Sequence, residues 1–77
     1  MNTPKILELL ELCLTISDTT EHDVFFEYYP HLELVGVRYH FNGLNNDIGG
    51  TSIPWVKTNE KDRDFDMVMD VLKEELL

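Results

Sequence analysis

Cysteine is nearly absent from this chain, and proline, glycine and basic residues are scarce. The 77 residues include one cysteine, three prolines and four glycines, and only six lysines and arginines against fifteen acidic residues. A single cysteine cannot form an intramolecular disulfide or a cysteine metal cluster. The formal net charge of −9 repels phosphate groups and anionic lipids, so we expect neither direct nucleic-acid binding nor membrane binding.

Long hydrophobic runs are also missing. No apolar stretch approaches the roughly 18 residues that a membrane span needs, and Glu8 and Glu11 interrupt the leucines near the start. We therefore expect no signal peptide and no transmembrane segment. With its lone cysteine, the chain is expected in the cytosol. Residues 1–77 are long enough for a single domain, and an apolar content of 43% is enough for one core.

The residue patterns of catalytic and metal-binding sites are not found either. His22, His31 and His40 are nine residues apart, and neither a His-x-x-x-His spacing nor a cysteine pair joins them. Residues 45–50 lack the alternating ligands of a calcium loop and the lysine of a phosphate-binding loop. Neither serine lies in a nucleophile-elbow motif. We therefore expect no enzyme activity, no metal and no cofactor.

Residues 24–41 form the most informative segment, because aromatic and β-branched residues flank a Pro-His dipeptide on both sides. A four-residue turn at 29–32 predicts a β-hairpin in which Phe26 pairs with Val35. Side chains alternate between the faces of a strand, so one face is expected to contact the core. This face comprises Val24, Phe26, Tyr28, Val35, Val37, Tyr39 and Phe41.

The opposite face of the hairpin is unusually apolar for a surface. In the predicted register Phe25 lies opposite Gly36 and packs across its bare backbone. A contiguous apolar patch of this kind indicates an interface. The candidate protein-binding interface comprises Leu12, Phe25, Tyr29, Leu32, Leu34 and Trp55.

Two amphipathic helices flank the hairpin. Thr3 as N-cap and Pro4 in the first turn predict the start of the first helix, and the turn formers at 17–20 predict its end. The second helix is predicted over Glu60 to Glu75, with Asn59 as its N-cap and acidic residues in its first turn.

Both helices show apolar residues at helical spacing, which predicts a buried side on each. In the first helix they fill an arc of about 180°, and Leu12 lies outside it; the arc contains Ile6, Leu7, Leu9, Leu10, Cys13, Leu14 and Ile16. In the second helix the apolar face contains Phe65, Val68, Met69, Leu72 and Leu76, with Met67 and Val71 at its sides.

The opposite side of the second helix is acidic. Asp66, Asp70 and Glu74 follow one another at i, i+4 and i+8 and form an acidic ridge. Such a ridge is usually a solvated helix face. We also consider it as a candidate acidic docking surface.

The remaining residues complete a small sheet. A long loop is predicted over 42–50, and residues 51–56 are predicted to form a third strand. Pro54 cannot donate a hydrogen bond, so this strand is expected at an edge of the sheet. The predicted fold is α+β in the order helix-strand-strand-strand-helix, with both helices on one face of an antiparallel sheet.

The hairpin carries a recognisable residue pattern in three pieces, FEYYPH at 26–31, ELVGVRY at 33–39 and NG at 42–43. It resembles a segment of small uncharacterised proteins encoded by phages and prophages of Gram-positive bacteria. The resemblance implies the cytosol of an infected or lysogenic bacterium as the setting, and it implies no activity and no functional residues. The leucine-rich first helix departs from that family.

Two functions are compatible with this sequence. The first is that of a non-enzymatic phage accessory protein that binds another protein, which is either a host protein or a second copy in a homodimer. The alternative is an acidic inhibitor that imitates the charge of nucleic acid and occupies a basic groove on a host defence or DNA-handling protein. The apolar surplus favours the first function, and the net charge of −9 favours the second.

Overall fold

A computed structural model describes residues 1–77 and contains two helices and one three-stranded antiparallel sheet. In chain order the elements are α1 (Thr3–Thr19), β1 (Asp23–Tyr29), β2 (Leu34–His40), β3 (Thr51–Lys57) and α2 (Asp62–Leu76). The strands lie in the order β1-β2-β3, and both helices pack on the same face of the sheet. The predicted α+β fold is confirmed. Neither helix is long and apolar enough to cross a membrane.

The core lies between that face of the sheet and the two helices. All five residues of the predicted apolar face of α2 are buried, as are Leu9, Cys13 and Ile16 of α1. Leu7 and Leu14, which we expected in the core, are exposed. A helix resting on a small sheet buries a stripe only a little wider than about 100°, so the broader apolar arc of α1 extends beyond it.

The hairpin has the predicted faces, but its predicted register is wrong by two residues. Phe26 pairs with Val37, and Tyr28 pairs with Val35. The cause is the turn, in which a short 3-10 segment (Pro30–Leu32) is followed by Glu33 at a φ of 53°, so that four residues connect the strands. A shift of two residues leaves every side chain on the same face.

Burial within the hairpin follows the prediction in the middle and departs from it at both ends. Val35, Val37 and Tyr39 of β2 are buried. Tyr28, close to the turn, and Phe41, just beyond β2, are exposed although we assigned both to the core face. The helices therefore cover the centre of the hairpin better than its ends.

The predicted N-caps of both helices are wrong. Asn2 and Lys61 occupy these positions in place of Thr3 and Asn59, and α2 begins two residues later than expected. The side-chain amide of Asn2 donates a hydrogen bond to the carbonyl oxygen of Glu60, 3.0 Å away. Asn2 thus connects the starts of the two helices, a contact between distant segments that local capping rules do not include.

The end of α1 is also later than predicted, because the helix continues to Thr19. The hydroxyl groups of Thr19 and Thr20 donate to carbonyl oxygens four residues earlier, which satisfies the last turn. Ser17 contacts the edge of the sheet instead of ending the helix. Its hydroxyl oxygen accepts a hydrogen bond from the backbone N–H of Val24, 3.1 Å away.

Strand β3 forms an edge of the sheet, as Pro54 predicted. A β-bulge places two residues, Pro54 and Trp55, opposite the single residue Gly36. The extra residue keeps Ile53 and Val56 both buried although they are three positions apart. It also turns Trp55 to the face of the sheet that the helices do not cover.

The loop of residues 41–50 is long, as predicted, and its hydrogen bonds involve two aspartates. The carboxylate of Asp47 accepts bonds from the backbone N–H groups of Phe41 and Gly50, at 3.1 and 3.3 Å. The carboxylate of Asp23 accepts a bond from the N–H of Leu44 at 2.8 Å. The loop is therefore held against the end of the sheet.

Candidate protein-binding surface

The face of the sheet opposite the helices is covered by no helix or strand, and we call it the open face; only its end at His40 is buried, beneath the loop of residues 41–50. It consists of Asp23, Phe25, Glu27 and Tyr29 of β1, Leu34, Gly36, Arg38 and His40 of β2, and Ser52, Trp55 and Lys57 of β3. Of the predicted interface residues, the structure brings together Phe25, Tyr29, Leu34 and Trp55 on this face. Each of these four is exposed or half-buried.

Two aromatic rings meet over the bare backbone of Gly36. Tyr29 from β1 and Trp55 from β3 stack with ring centroids 4.9 Å apart and an interplanar angle of 19°. A Cβ atom at Gly36 would lie 2.9 Å from Cδ1 of Trp55, so the close approach requires glycine. The sequence analysis assigned this role to Phe25. That assignment is wrong because the true register places Phe25 opposite Arg38.

Phe25 contacts two nitrogen-bearing side chains of β2. Cζ of Arg38 lies 5.0 Å from the centroid of the Phe25 ring, a cation–π distance. The imidazole of His40 meets the same ring edge-on, at a centroid distance of 5.5 Å. The side chain of Phe25 is nevertheless 37% exposed, so it presents an aromatic surface to solvent.

Arg38 is an unpaired cation in a highly acidic protein. The ion pairs of the structure involve Lys5 and Arg63, and no carboxylate lies within 4.0 Å of the Arg38 guanidinium. Its Nε atom is buried and has no hydrogen-bond partner. Arg38 was not among the residues predicted to form the interface. The sequence contained one sign of it, because Arg38 is the only lysine or arginine within a strand of alternating apolar residues.

The open face also contains the carboxylate of Glu27, which has one hydrogen-bond partner. Glu27 accepts a short hydrogen bond from the phenol of Tyr29, and this bond raises the pKa of Tyr29. Glu27 faces Gly36 across the strands, whereas Arg38 faces Phe25. Glu27 and Arg38 are therefore diagonal neighbours on the same face.

The open face has no net charge. Its charged side chains are Asp23, Glu27, Arg38 and Lys57, so two negative and two positive charges cancel. The remaining thirteen acidic and four basic residues lie on the helices and in the turns and loops, and they carry the whole net charge of −9. A neutral face with exposed aromatic side chains on an otherwise acidic molecule is typical of a protein-binding surface.

Two predicted interface residues lie away from the open face. Leu12 is half-buried and packs against the core, in a hollow between α1 and α2 that Met69 also lines. Leu32 lies in the turn of the hairpin and is exposed. The structure thus brings four of the six predicted residues together on the open face, with Leu32 at its end.

The acidic ridge of α2 is partly neutralised. Nζ of Lys5 lies 2.7 Å from a carboxylate oxygen of Asp66, and hydrogen bonds to Asp66 and Glu8 raise the pKa of Lys5. Asp70 and Glu74 are exposed and have no basic partner. The docking surface predicted from the three acids therefore has two free carboxylates.

A groove that sequence analysis missed runs between β3 and α2. It has a volume of about 490 Å³, and its apolar wall includes Pro54, Met67 and Val71. Glu60 and Asp64 also line it. The apolar residues at the sides of the α2 face were a possible signal, but only the tertiary structure shows that α2 lies along the edge of β3.

Each of the three histidines lies at one end of the sheet. Nδ1 of His40 is hydrogen-bonded to the carbonyl of Asp47, and Nδ1 of His22 accepts a bond from the N–H of Asn42 at 3.0 Å. His31 lies at the tip of the hairpin, at the opposite end of the strands from both. No group of three histidine, cysteine or carboxylate side chains is arranged to hold a metal ion.

Cys13 is expected to be unreactive in the folded protein. Its thiol is buried against the core, and burial raises the pKa of Cys13 to about 11. At pH 8 the thiolate fraction falls on the order of a hundredfold below that of a free cysteine, and alkylation slows at least as much. Iodoacetamide labelling followed by mass spectrometry, in buffer and in denaturant, measures this difference. Equal rates in the two conditions would contradict the burial of Cys13.

Comparison with protein-family models, with curated proteins and with solved structures finds no match for this chain.

Proposed function

We propose that this protein acts by binding another protein through the open face, without catalysing a reaction. The observation that supports this proposal is a neutral, uncovered sheet face that exposes Phe25 and Trp55 on an otherwise acidic molecule. Tryptophan, tyrosine and arginine are the residue types that dominate binding energies at protein interfaces. The open face holds Trp55, Tyr29 and Arg38 close to one another.

The setting that we propose is the cytosol of a bacterium that carries or is infected by a phage. The resemblance of the hairpin segment at 26–43 to small phage and prophage proteins supports it. In that setting the chain is an accessory protein, and its effect on the cell comes from the protein that it binds.

Substitutions that separate the open face from the other exposed apolar residues test this proposal. Phe25→Ser removes an aromatic side chain from the open face, whereas Met67→Ser removes an exposed apolar side chain of α2. Quantitative capture from a concentrated bacterial lysate to which a tagged second copy of this chain has been added is expected to recover the same partner, a bacterial protein or that copy, with the native chain and with Met67→Ser. Recovery is expected to fall about tenfold or more with Phe25→Ser, the loss of one binding hot spot.

The outcome that would contradict the proposal is the reverse pattern, in which Met67→Ser loses the partner and Phe25→Ser retains it. Circular dichroism spectra of the two variants provide the control for folding. Because Met67 lines the groove between β3 and α2, this outcome would assign binding to the groove instead.

The acidic inhibitor is the second candidate function. Residues 60–75 contain seven acidic and three basic residues, and Asp70 and Glu74 are exposed without a basic partner. Charge mimicry requires binding that weakens steeply as the salt concentration rises. Binding through the neutral open face relies mainly on apolar contact and is expected to weaken much less with salt, so a salt titration of the captured complex distinguishes the two functions.

A further inference from the structure

We infer that the partner on the open face is a second copy of this chain, in a two-fold dimer in which Arg38 of each copy meets Glu27 of the other. The inference rests on the proposed function, because it names the protein that the open face binds.

The charge distribution favours this orientation of two copies. Two molecules with a net charge of −9 repel each other through most of their surfaces, but the open face is neutral. A face-to-face contact places the acidic helices of both copies on the outside. The chain is 16 Å across in its smallest extent, and charges are largely screened beyond a Debye length of about 8 Å at physiological salt. The face-to-face arrangement therefore avoids the repulsion that other contacts would meet.

The open face is complementary to itself. Arg38 lacks a carboxylate within its own chain, and Glu27 lies diagonally beside it on the neighbouring strand. A two-fold axis that runs midway between these residues brings Arg38 of each copy over Glu27 of the other. Two-fold contacts repeat every interaction in this way, and they are the commonest interfaces of homo-oligomers.

The size of the open face limits the strength of the dimer. Three strands of seven residues span an area of roughly 300 Å², taking about 4.8 Å between strands and about 3.3 Å per residue. A standard stable interface buries about 800 Å² on each partner. The dimer is therefore weak, with a dissociation constant in the range of about 10 μM to 1 mM, and it forms only at high protein concentration.

Sedimentation velocity in about 0.15 M salt tests the dimer directly. Between about 10 μM and 1 mM the native chain is expected to shift from the 9.0 kDa mass of one copy to twice that mass. A monomer throughout this range overturns the inference. If Phe25→Ser abolishes capture of a bacterial protein while the native chain stays a monomer, the proposed function stands and only the identity of the partner is wrong.

Charge reversal tests the predicted contact. Arg38→Glu and Glu27→Arg each place two like-charged pairs in the dimer, so each variant alone is expected to associate about tenfold more weakly or worse. In an equimolar mixture the two variants form a heterodimer in which both pairs again join opposite charges, and association is expected to return. Arg63→Glu is the control, because it changes the net charge as Arg38→Glu does but lies on α2.

The mixture is also a control for misfolding, because two unfolded variants would not associate when they are mixed. Recovery in the mixture supports the Arg38–Glu27 contact. Failure of the mixture to recover, or a native dimer that Arg38→Glu leaves unchanged, overturns the inferred arrangement.

Discussion

Replacing Phe65 by alanine is expected to lower the free energy of unfolding by about 3–5 kcal/mol, the usual cost of truncating a buried phenylalanine. Phe65 belongs to the core and is the largest of its fully buried side chains. A domain of 77 residues has a total stability of about 4–12 kcal/mol. The loss therefore amounts to at least about a quarter of the total stability. Urea denaturation followed by circular dichroism measures the change.

Met67→Ala provides a matched control on the same helix. Met67 is 60% exposed, and its truncation is expected to change the free energy of unfolding by no more than about 0.5 kcal/mol. Equal losses for the two variants would mean that α2 does not pack against the sheet through the face that contains Phe65.

Gly50→Ala is expected to lower the free energy of unfolding by about 2–4 kcal/mol, because two penalties coincide at this position. Gly50 has a φ of 66°, in the left-handed region that alanine rarely adopts. A Cβ atom there would also lie 2.5 Å from Cε1 of His40. The imidazole is 2% exposed and hydrogen-bonded to the carbonyl of Asp47, so it cannot move aside without breaking that contact.

The neighbouring Gly49 provides a control for any general sensitivity of the loop to substitution by alanine. A Cβ atom at Gly49 would meet no atom within 4 Å, and Gly49→Ala is expected to be neutral to within about 0.5 kcal/mol. Thermal denaturation of both variants measures the difference. A Gly50→Ala protein as stable as Gly49→Ala would show that the loop does not pack against His40.

The periodic parts of the chain were predictable. Spacing at 3.6 residues identified the buried face of α2, and all five of its residues are in the core. Alternation placed Phe25 and Tyr29 on one face of the hairpin and Val35 and Val37 on the other. These predictions succeed because the period of a helix or strand fixes which side chains share a face, whatever the rest of the molecule does.

The register and the caps were not predictable from local rules. A four-residue connection with Glu33 in the left-handed region competes closely with the two-residue connection that Pro30 suggested, and side-chain alternation does not distinguish them because both keep the same residues on each face. The side chains were still assigned to the correct faces, because the register was wrong by an even number of residues. At the helix starts, the side-chain amide of Asn2 donates a hydrogen bond to the carbonyl oxygen of Glu60. The residues that local rules predicted as N-caps do not occupy those positions.

The candidate surface was partly predictable. The sequence identified Phe25, Tyr29, Leu34 and Trp55 as surplus apolar residues, but it included Leu12, which the structure places against the core between the helices. It did not show that Trp55 shares a face with Tyr29. That outcome depends on a single extra residue in β3 opposite Gly36, a feature that strand alternation does not predict.

Composition and periodicity alone determined the α+β order of elements, the acidic surface, the edge position of β3 and the apolar character of both faces of the hairpin. The tertiary structure decided the register, the bulge that brings Trp55 over Gly36, the pairing of Asp66 with Lys5 and the lack of an ion pair for Arg38. The physical reason is how far apart along the chain the interacting residues lie. Side-chain period is a property of a few consecutive residues, whereas ion pairs and ring stacking join residues that only folding brings together.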